Sequence, residues 1–245
     1  MISFPAPSHY RRFLPRFLTT YISGVVLCVG LAAFPLSLSN AEEAASKTYK
    51  GRVIAPPMSY RGADWLERTE REATQQPERV LNELAIKAGS TVADIGAGTG
   101  YFSFRLAQRV GPQGRVLATD IQPQMLAMLS DKMRRANIAN IEPILCTPTD
   151  AKLPKNTLDL ALMVDVYHEL AYPEETLGQI RRALKPEGRL VLIEYRGEDP
   201  SVPIKPEHKT TLVQIRSEIE PLGFRMKDVL EFLPQQRVVI FVKDL

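Results

Sequence analysis

A short apolar strand, a glycine loop and a helix follow one another between residues 91 and 110. The strand candidate is Thr91–Ile95 and the helix candidate is Tyr101–Val110. Gly96, Gly98 and Gly100 stand in the loop, where glycine permits positive φ angles and close approach of the backbone to a ligand. Amide groups at the start of the helix would face an anionic group. This feature predicts an α/β unit with a ligand at the carboxyl end of its first strand.

Apolar runs and amphipathic helical patterns alternate beyond this unit. Later strand candidates are Arg115–Thr119, Ile141–Leu145, Leu158–Val164, Arg189–Glu194, Arg225–Phe232 and Arg237–Val242, and helix candidates are Pro123–Ala136, Glu174–Leu184 and Leu212–Glu220. A helical pattern over Ala63–Ala85, with a break at Gln76-Pro77, precedes the first strand. The alternation predicts a doubly wound, mostly parallel seven-stranded α/β sheet, and the last two strands predict an antiparallel edge strand.

An acidic residue at the next strand end points to a nucleotide ligand. Asp120 lies 20 residues after Gly100, where a carboxylate can bind both ribose hydroxyls. A dinucleotide such as NAD would require the third glycine at position 101, which is Tyr101. The spacing therefore disfavours an NAD-linked oxidoreductase, which stays open as an alternative.

The pattern Asp94-Ile95-Gly96-Ala97-Gly98-Thr99-Gly100 resembles the first motif of class I S-adenosylmethionine-dependent methyltransferases. The resemblance extends through most of residues 78–243, including LKPEGRL at 184–190, where Glu187 stands in place of the usual glycine. It implies a Rossmann-like methyltransferase fold and S-adenosylmethionine as cofactor. It also places an acid near the adenine, here Asp150 beside Ala151. The implied cofactor-binding residues are Asp94, Gly96, Ala97, Gly98, Gly100, Asp120, Ile121, Asp150, Ala151 and Asp165.

Transfer of a methyl group from a sulfonium is an in-line displacement that needs positioning more than a strong base. His168, just after the fourth strand, is the candidate base or acceptor-binding residue, and a polar residue that caps the following turn is an equal alternative. Tyr167 and Glu169 are candidates for orienting the acceptor, and stacking near the cofactor is an alternative for Tyr167. The chain has three histidines, which argues against a histidine-rich metal site, and no metal is expected.

Other residues near the same strand ends have less specific roles. We expect Trp65 to be a packing residue, although helices before the glycine motif often cover the site in the resembled family. Lys205, His208 and Lys209 lie in a proline-rich loop that we expect to be solvated, with closure over an anionic acceptor as the alternative. Glu194, Tyr195 and Arg196 end the fifth strand and could line the same pocket, although we expect Arg196 to be a solvated charge. Cys146 is expected to be a small buried residue.

Residues 1–41 resemble a signal peptide or membrane anchor. Their arginines precede an apolar stretch over residues 21–38, and Ser39 and Ala41 fit a cleavage site. We therefore divide the chain into residues 1–41 as leader, 42–60 as linker and 61–245 as the methyltransferase domain. The leader predicts an exported protein, periplasmic or anchored facing outward, although S-adenosylmethionine is made in the cytosol. A start at Met58 would make the protein cytoplasmic.

The formal charge of the chain is +3. Arg11, Arg12 and Arg16 supply this excess, because residues 1–41 contain no Asp, Glu or Lys. The remainder is formally neutral, which argues against a nucleic-acid partner. We expect a small-molecule acceptor, and membrane contact only through an uncleaved leader. The leading hypothesis is a methyltransferase, and the main alternative is a non-catalytic protein that binds or senses S-adenosylmethionine.

Overall fold

The computed structural model describes residues 47–244. In chain order the elements are β1 (Thr48–Tyr49), β2 (Arg52–Val53), α1 (Glu70–Gln75), α2 (Pro77–Glu83), β3 (Thr91–Ile95), α3 (Tyr101–Val110), β4 (Arg115–Asp120), α4 (Pro123–Ala136), β5 (Ile141–Leu145), β6 (Leu158–Val164), α5 (Pro173–Ala183), β7 (Leu184–Arg196), β8 (Lys209–Thr210), α6 (Leu212–Ile219), β9 (Phe224–Leu230) and β10 (Gln236–Lys243). Short 3-10 helices cover Tyr60–Glu67, Tyr167–Glu169, Pro206–His208 and Glu220–Leu222.

One sheet has the strand order β5-β4-β3-β6-β7-β10-β9, with the short β8 beside β7. Strands β5, β4, β3, β6 and β7 pair in parallel, and β10 runs antiparallel to both of its neighbours. The predicted doubly wound, mostly parallel α/β fold is confirmed. The antiparallel strand β10 lies one place in from the edge, because a short connection after β9 produces an antiparallel pair and β10 then inserts beside β7.

Helices cover both faces of this sheet. Successive strand residues point to opposite faces, so Val92 packs in one cluster with Leu81 and Leu106, whereas Ala93 packs in the other with Ile180. The first cluster is covered by α2, α3 and α4, and the second by α5 and α6. Burial on both faces explains why the parallel strands read as continuous apolar runs rather than as alternating patterns.

The helical region before the sheet is divided into three pieces. Tyr60–Glu67 is a 3-10 helix, and α1 and α2 follow it. The predicted break is observed at Gln76, whose φ is 41°, because the residue before a proline is disfavoured in the helical region. A capping box begins α6, with the Thr211 side chain accepting from the backbone N–H of Gln214.

The segment predicted as a linker packs against the domain over residues 47–60. Arg52 on β2 is 5% exposed, and its guanidinium donates to both carboxylate oxygens of Glu218 on α6 at 2.9–3.1 Å. It also donates to the backbone carbonyl of His168 at 3.2 Å. A buried ion pair, and no apolar run, fixes this segment, which is why its composition indicated a linker. The linker prediction is corrected accordingly.

The leader predicted over residues 1–41 lies outside the described residues. Within residues 47–244, the helices are too short or too polar for any of them to cross a lipid bilayer.

We expect Arg52→Met to lower the free energy of unfolding by roughly 3–5 kcal/mol, because it leaves the Glu218 carboxylate buried without its partner. Urea unfolding measures the change. The double variant with Glu218→Met should recover most of the loss. Arg216→Ala removes an exposed ion pair with Glu220 and serves as control, at about 1 kcal/mol or less. Equal losses in Arg52→Met and Arg216→Ala would contradict the expectation.

Candidate functional site

A cavity of about 570 Å³ opens at the carboxyl ends of β3, β4, β6 and β7. The strand order switches sides here, because β4 lies on one side of β3 and β6 lies on the other. Ligands of doubly wound sheets bind at such a point, and the volume suits a small-molecule site of about 300–1,000 Å³. Apolar side chains form most of the wall, including Ile95, Ile121, Met125, Val164, Val166 and Leu170.

The glycine loop closes one side of the cavity. Gly96 and Gly98 line it with φ angles of 67° and 55°. A Cβ at Gly96 would lie 2.6 Å from Cγ2 of Val166, and one at Gly98 would lie 2.9 Å from Cδ1 of Leu66. The loop therefore fits only residues without a side chain, and its backbone faces the cavity.

Two predicted loop residues lie behind this surface and do not line the cavity. Ala97 packs against the core cluster, and its N–H donates to the carbonyl of Thr119 at 2.9 Å. Gly100 has a φ of 90°, and a Cβ there would lie 2.4 Å from Cδ1 of Leu129 on α4. Both residues shape the loop instead of facing a ligand.

Asp120 ends β4 at the cavity wall, as the sequence predicts. Its carboxylate accepts from the backbone N–H of Gly98 at 2.9 Å and from that of Gln122 at 2.8 Å. Burial raises the pKa of Asp120 above its ordinary value, and these backbone donors oppose the rise. The residue thus ties the glycine loop to the beginning of α4 and presents its carboxyl group to the cavity.

Asp94 is part of the predicted motif, but it does not line the cavity. It is 3% exposed, and its carboxylate accepts from the Ser103 hydroxyl on α3 at 2.6 Å. Burial raises the pKa of Asp94 to about 6, against the effect of the Ser103 hydrogen bond. Asp94 therefore holds the strand and the helix on either side of the glycine loop in register.

Asp165 lines the cavity after β6. Its carboxylate accepts from the side-chain amides of Gln75 at 2.9 Å and Gln236 at 2.6 Å, and its φ is 56°. Burial, with a contribution from the Glu194 charge, raises the pKa of Asp165 to about 6. Asp165 therefore lies in the cavity as predicted. Its hydrogen bond to Gln75 on α1 was not indicated by the sequence.

Of the two residues predicted near the adenine, Ala151 lines the cavity and Asp150 does not. Ala151 lines the cavity, and its N–H donates to the side-chain oxygen of Gln179 at 2.6 Å. Asp150 is exposed and does not line the cavity, because its carboxylate accepts from the backbone N–H of Lys152 in a tight turn. Ile121 and the half-buried Cys146 also line the cavity.

The segment Tyr60–Glu67 lies over the glycine loop. Glu67 accepts from the hydroxyl of Thr99 in the loop and from Lys132 on α4. The Gln122 side chain accepts from the backbone N–H of Tyr60 at 2.8 Å. It also donates to the carbonyl of Met58, just before the segment, at 2.8 Å. Trp65 lines the cavity and is 45% exposed, so the expectation that it is a packing residue is corrected: it is part of this cover.

Arg71 is the main site residue that the sequence did not single out. It lines the cavity from α1 while only 6% exposed, donates to the carbonyl of Leu66, and stacks 3.8 Å from the centre of the Tyr101 ring. Burial lowers the pKa of Arg71. Its pattern within a charged helix gave no signal, since its burial depends on the long-range contact with Tyr101.

The turn after β6 carries the three predicted catalytic residues, and the structure separates them. His168 and Glu169 line the cavity. Tyr167 is fully buried, and its hydroxyl donates to Glu218 at 2.7 Å. The prediction that Tyr167 orients the acceptor is therefore corrected: its side chain points into the core and belongs to the Arg52–Glu218 network.

Glu194 on β7 positions this turn. Its carboxylate is fully buried and accepts from the backbone N–H groups of Val166 and Tyr167, at 3.2 and 2.9 Å. It also accepts from Nδ1 of His168 at 2.6 Å. Burial opposes protonation of His168, but the Glu194 carboxylate outweighs it and raises the pKa of His168.

The proline-rich loop contributes to the cavity in spite of the expectation that it is solvated. Lys205 and His208 line it, and Nδ1 of His208 lies 3.1 Å from Nε2 of His168. Lys209 instead donates to two carbonyls of its own loop. Arg196 binds Glu231 and neighbouring carbonyls outside the cavity, so its predicted solvated state is replaced by an ion pair.

Comparisons with known proteins agree with this geometry. A family model described as a methyltransferase domain matches residues 86–233. The ubiquinone/menaquinone biosynthesis C-methyltransferase UbiE of Enterobacter sp. (strain 638) is 32% identical over 111 residues, which are 45% of this chain and 44% of that protein. The chain thus spans about half the length of the curated relatives it matches.

Solved structures match over a larger part of the chain. A SAM dependent methyltransferase from Aquifex aeolicus is 28% identical, with a TM-score of 0.72 over 76% of this chain and 100% of that chain. The [4+2]-cyclase SpnF is 14% identical, with a TM-score of 0.60 over 70% of this chain and 81% of that chain. At that identity SpnF shows a common fold alone.

We expect Gly96→Ala to weaken binding of the nucleotide cofactor at least about 10-fold, since the new Cβ meets Val166 at the cavity wall. Calorimetric titration measures the affinity. Gly111→Ala is the matched control, because Gly111 has the same φ of 67° but open space around its Cβ position. It carries backbone strain from a positive φ at a residue that does not line the cavity, so an equal loss of affinity in both variants would refute the role of Gly96.

We expect Asp94→Asn to stabilise the fold above pH 6. Because folding raises the pKa of Asp94 to about 6 from an ordinary value near 4, its contribution to stability is full below pH 4 and is lost as the pH rises through 6. The variant should gain up to about 3 kcal/mol over wild type at pH 8 and nothing at pH 4. Urea unfolding at both pH values tests this, and a variant less stable than wild type at pH 8 would contradict it.

Proposed function

This chain belongs to the class I S-adenosylmethionine-dependent methyltransferases, and from that premise we propose that it methylates a small, largely apolar acceptor bound beside His168. The observation that carries the proposal is the continuity of the cavity. One space joins the glycine loop and Asp120 to the polar corner formed by His168, Glu169 and His208. Cofactor and acceptor can therefore meet without water between them.

The predicted cofactor, S-adenosylmethionine, is confirmed by the family match and by the Aquifex aeolicus methyltransferase, and NAD is not supported. The cavity suits this cofactor. Gly96 and Gly98 leave a cradle that a Cβ would fill, and the carboxyl group of Asp120 is placed to accept from ribose hydroxyls. Arg71 supplies a buried cation that lines the same cavity, suited to a carboxylate.

Bound S-adenosylmethionine supplies a methyl group on a positively charged sulfur that leaves readily. The protein's own task is to hold the acceptor in line and to exclude water, which contributes through orientation. The cover over residues 60–67 and the apolar wall exclude solvent. His168, fixed by Glu194 at 2.6 Å, presents Nε2 to the acceptor end of the cavity and positions a polar group of the acceptor there.

The lining supports an acceptor that is apolar apart from one polar group. Leu170, Ile204 and the aromatic side chain of Trp65 line the same cavity. The relatives named for ubiquinone and menaquinone biosynthesis support the same class of acceptor. The absence of nucleic acid as partner stays a prediction from the neutral charge, and the exported location stays a prediction from residues 1–41.

The proposal is tested with S-adenosylmethionine labelled in its methyl group and a cell extract separated into apolar metabolites, polar metabolites, protein and nucleic acid. We expect label in the apolar metabolites. Asp120→Ala should reduce transfer at least about 10-fold, because it removes the carboxyl group that faces the ribose position and ties the loop.

Asp131→Ala is the control, since Asp131 forms exposed ion pairs with its own helix. It should transfer label at the wild-type rate. Label in protein or nucleic acid would overturn the small-molecule acceptor. Equal transfer by Asp120→Ala and wild type would overturn the assignment of the cofactor site.

A further inference from the structure

The polar corner of the cavity brings together two imidazoles and a carboxylate. Nε2 of His168 lies 3.1 Å from Nδ1 of His208 and 3.9 Å from Oε1 of Glu169. The three ligand atoms all lie within 4.8 Å of one another. Both histidines within residues 47–244 are in this cluster. Two separate 3-10 turns supply its members, so the arrangement is produced by the fold and not by neighbours in sequence.

Glu194 fixes the protonation pattern of the cluster. A carboxylate accepts hydrogen bonds, so Nδ1 of His168 carries the proton in its 2.6 Å contact with Glu194. Whenever the ring is neutral, the lone pair of Nε2 therefore points toward His208 and Glu169. A buried carboxylate behind a histidine is the arrangement that orients metal-binding imidazoles.

Two of the three distances between ligand atoms fit a shared ion. Two nitrogens that each lie about 2.1 Å from one ion are about 3.0–3.4 Å apart at octahedral or tetrahedral angles, and the observed separation is 3.1 Å. Two atoms bound to one ion are at most about 4.2 Å apart at such bond lengths, so the contact of 3.9 Å to Glu169 is also compatible.

We propose that His168 Nε2, His208 Nδ1 and the Glu169 carboxylate bind one divalent first-row transition ion, of the class of Zn²⁺, Mn²⁺ or Fe²⁺. Imidazole and carboxylate donors suit such ions. Three protein ligands leave a coordination position open toward the cavity. The sequence expectation of no metal site did not foresee the cluster, because its two histidines stand 40 residues apart.

The open position fits an oxygen atom of the acceptor. The inference rests on the proposed function and makes its acceptor class more specific: a small apolar molecule that carries a hydroxyl or carbonyl oxygen. His168 is then a metal ligand, and Glu194 is a positioning residue that acts through it.

The test uses the full chain purified without a histidine tag and freed of metal by a chelator. Titration with Zn²⁺, followed by calorimetry, and with Co²⁺, followed by its visible absorption, reports binding without an activity assay. We expect one ion per chain. His208→Ala and Glu169→Gln should each weaken Zn²⁺ binding at least about 10-fold, and Glu194→Gln should weaken it about 10–100-fold.

Glu207→Gln is the matched control, because Glu207 lies in the same turn as His208 but outside the cluster. It should bind Zn²⁺ like wild type. Equal Zn²⁺ affinity in wild type and His208→Ala would overturn the metal site. Titration of wild type and His208→Ala with S-adenosylmethionine separates the two proposals. If both bind the cofactor and neither binds an ion, only the metal site is overturned. If wild type does not bind the cofactor, the proposed function is overturned.

Discussion

Parallel pairing of β4, β3, β6 and β7 is the constraint from which the site follows. Because these strands run in one direction, their carboxyl ends share one edge of the sheet. The glycine loop, Asp120, the turn with His168 and the strand end at Tyr195 are thereby brought to one cavity. Each of the four strands contributes residues to the site, and the pairing between the strands fixes where those residues lie.

Buried acidic residues hold the loops at that edge. Asp94 ties β3 to α3, Glu194 ties β7 to the turn after β6, and Glu218 ties α6 to the segment of Arg52. Each carboxylate receives hydrogen bonds that offset part of the cost of burial. The raised pKa of Asp94 shows that the offset is incomplete there. The loops of the site are fixed by polar contacts, whereas the sheet beneath them is fixed by apolar packing.

Local patterns predicted most of the fold. The bounds of α3 and α4 coincide with the predicted ranges, since apolar periodicity and the flanking Pro123 and Gly111 are local signals. Long-range contacts were not accessible from one sequence. The packing of Arg52 on Glu218, the meeting of His168 with His208 and the inward direction of Tyr167 depend on residues far apart in the chain. The candidate site was therefore predicted at its loop and strand ends, including His168 and Glu169, but its cover and the contribution of His208 were not.

Calorimetric titration of the purified chain with S-adenosylmethionine, and separately with NAD, tests the central claim most directly. The cavity described above predicts one molecule of S-adenosylmethionine bound per chain and no heat of binding with NAD. Binding of NAD in competition with S-adenosylmethionine, or no binding of S-adenosylmethionine, would contradict the account.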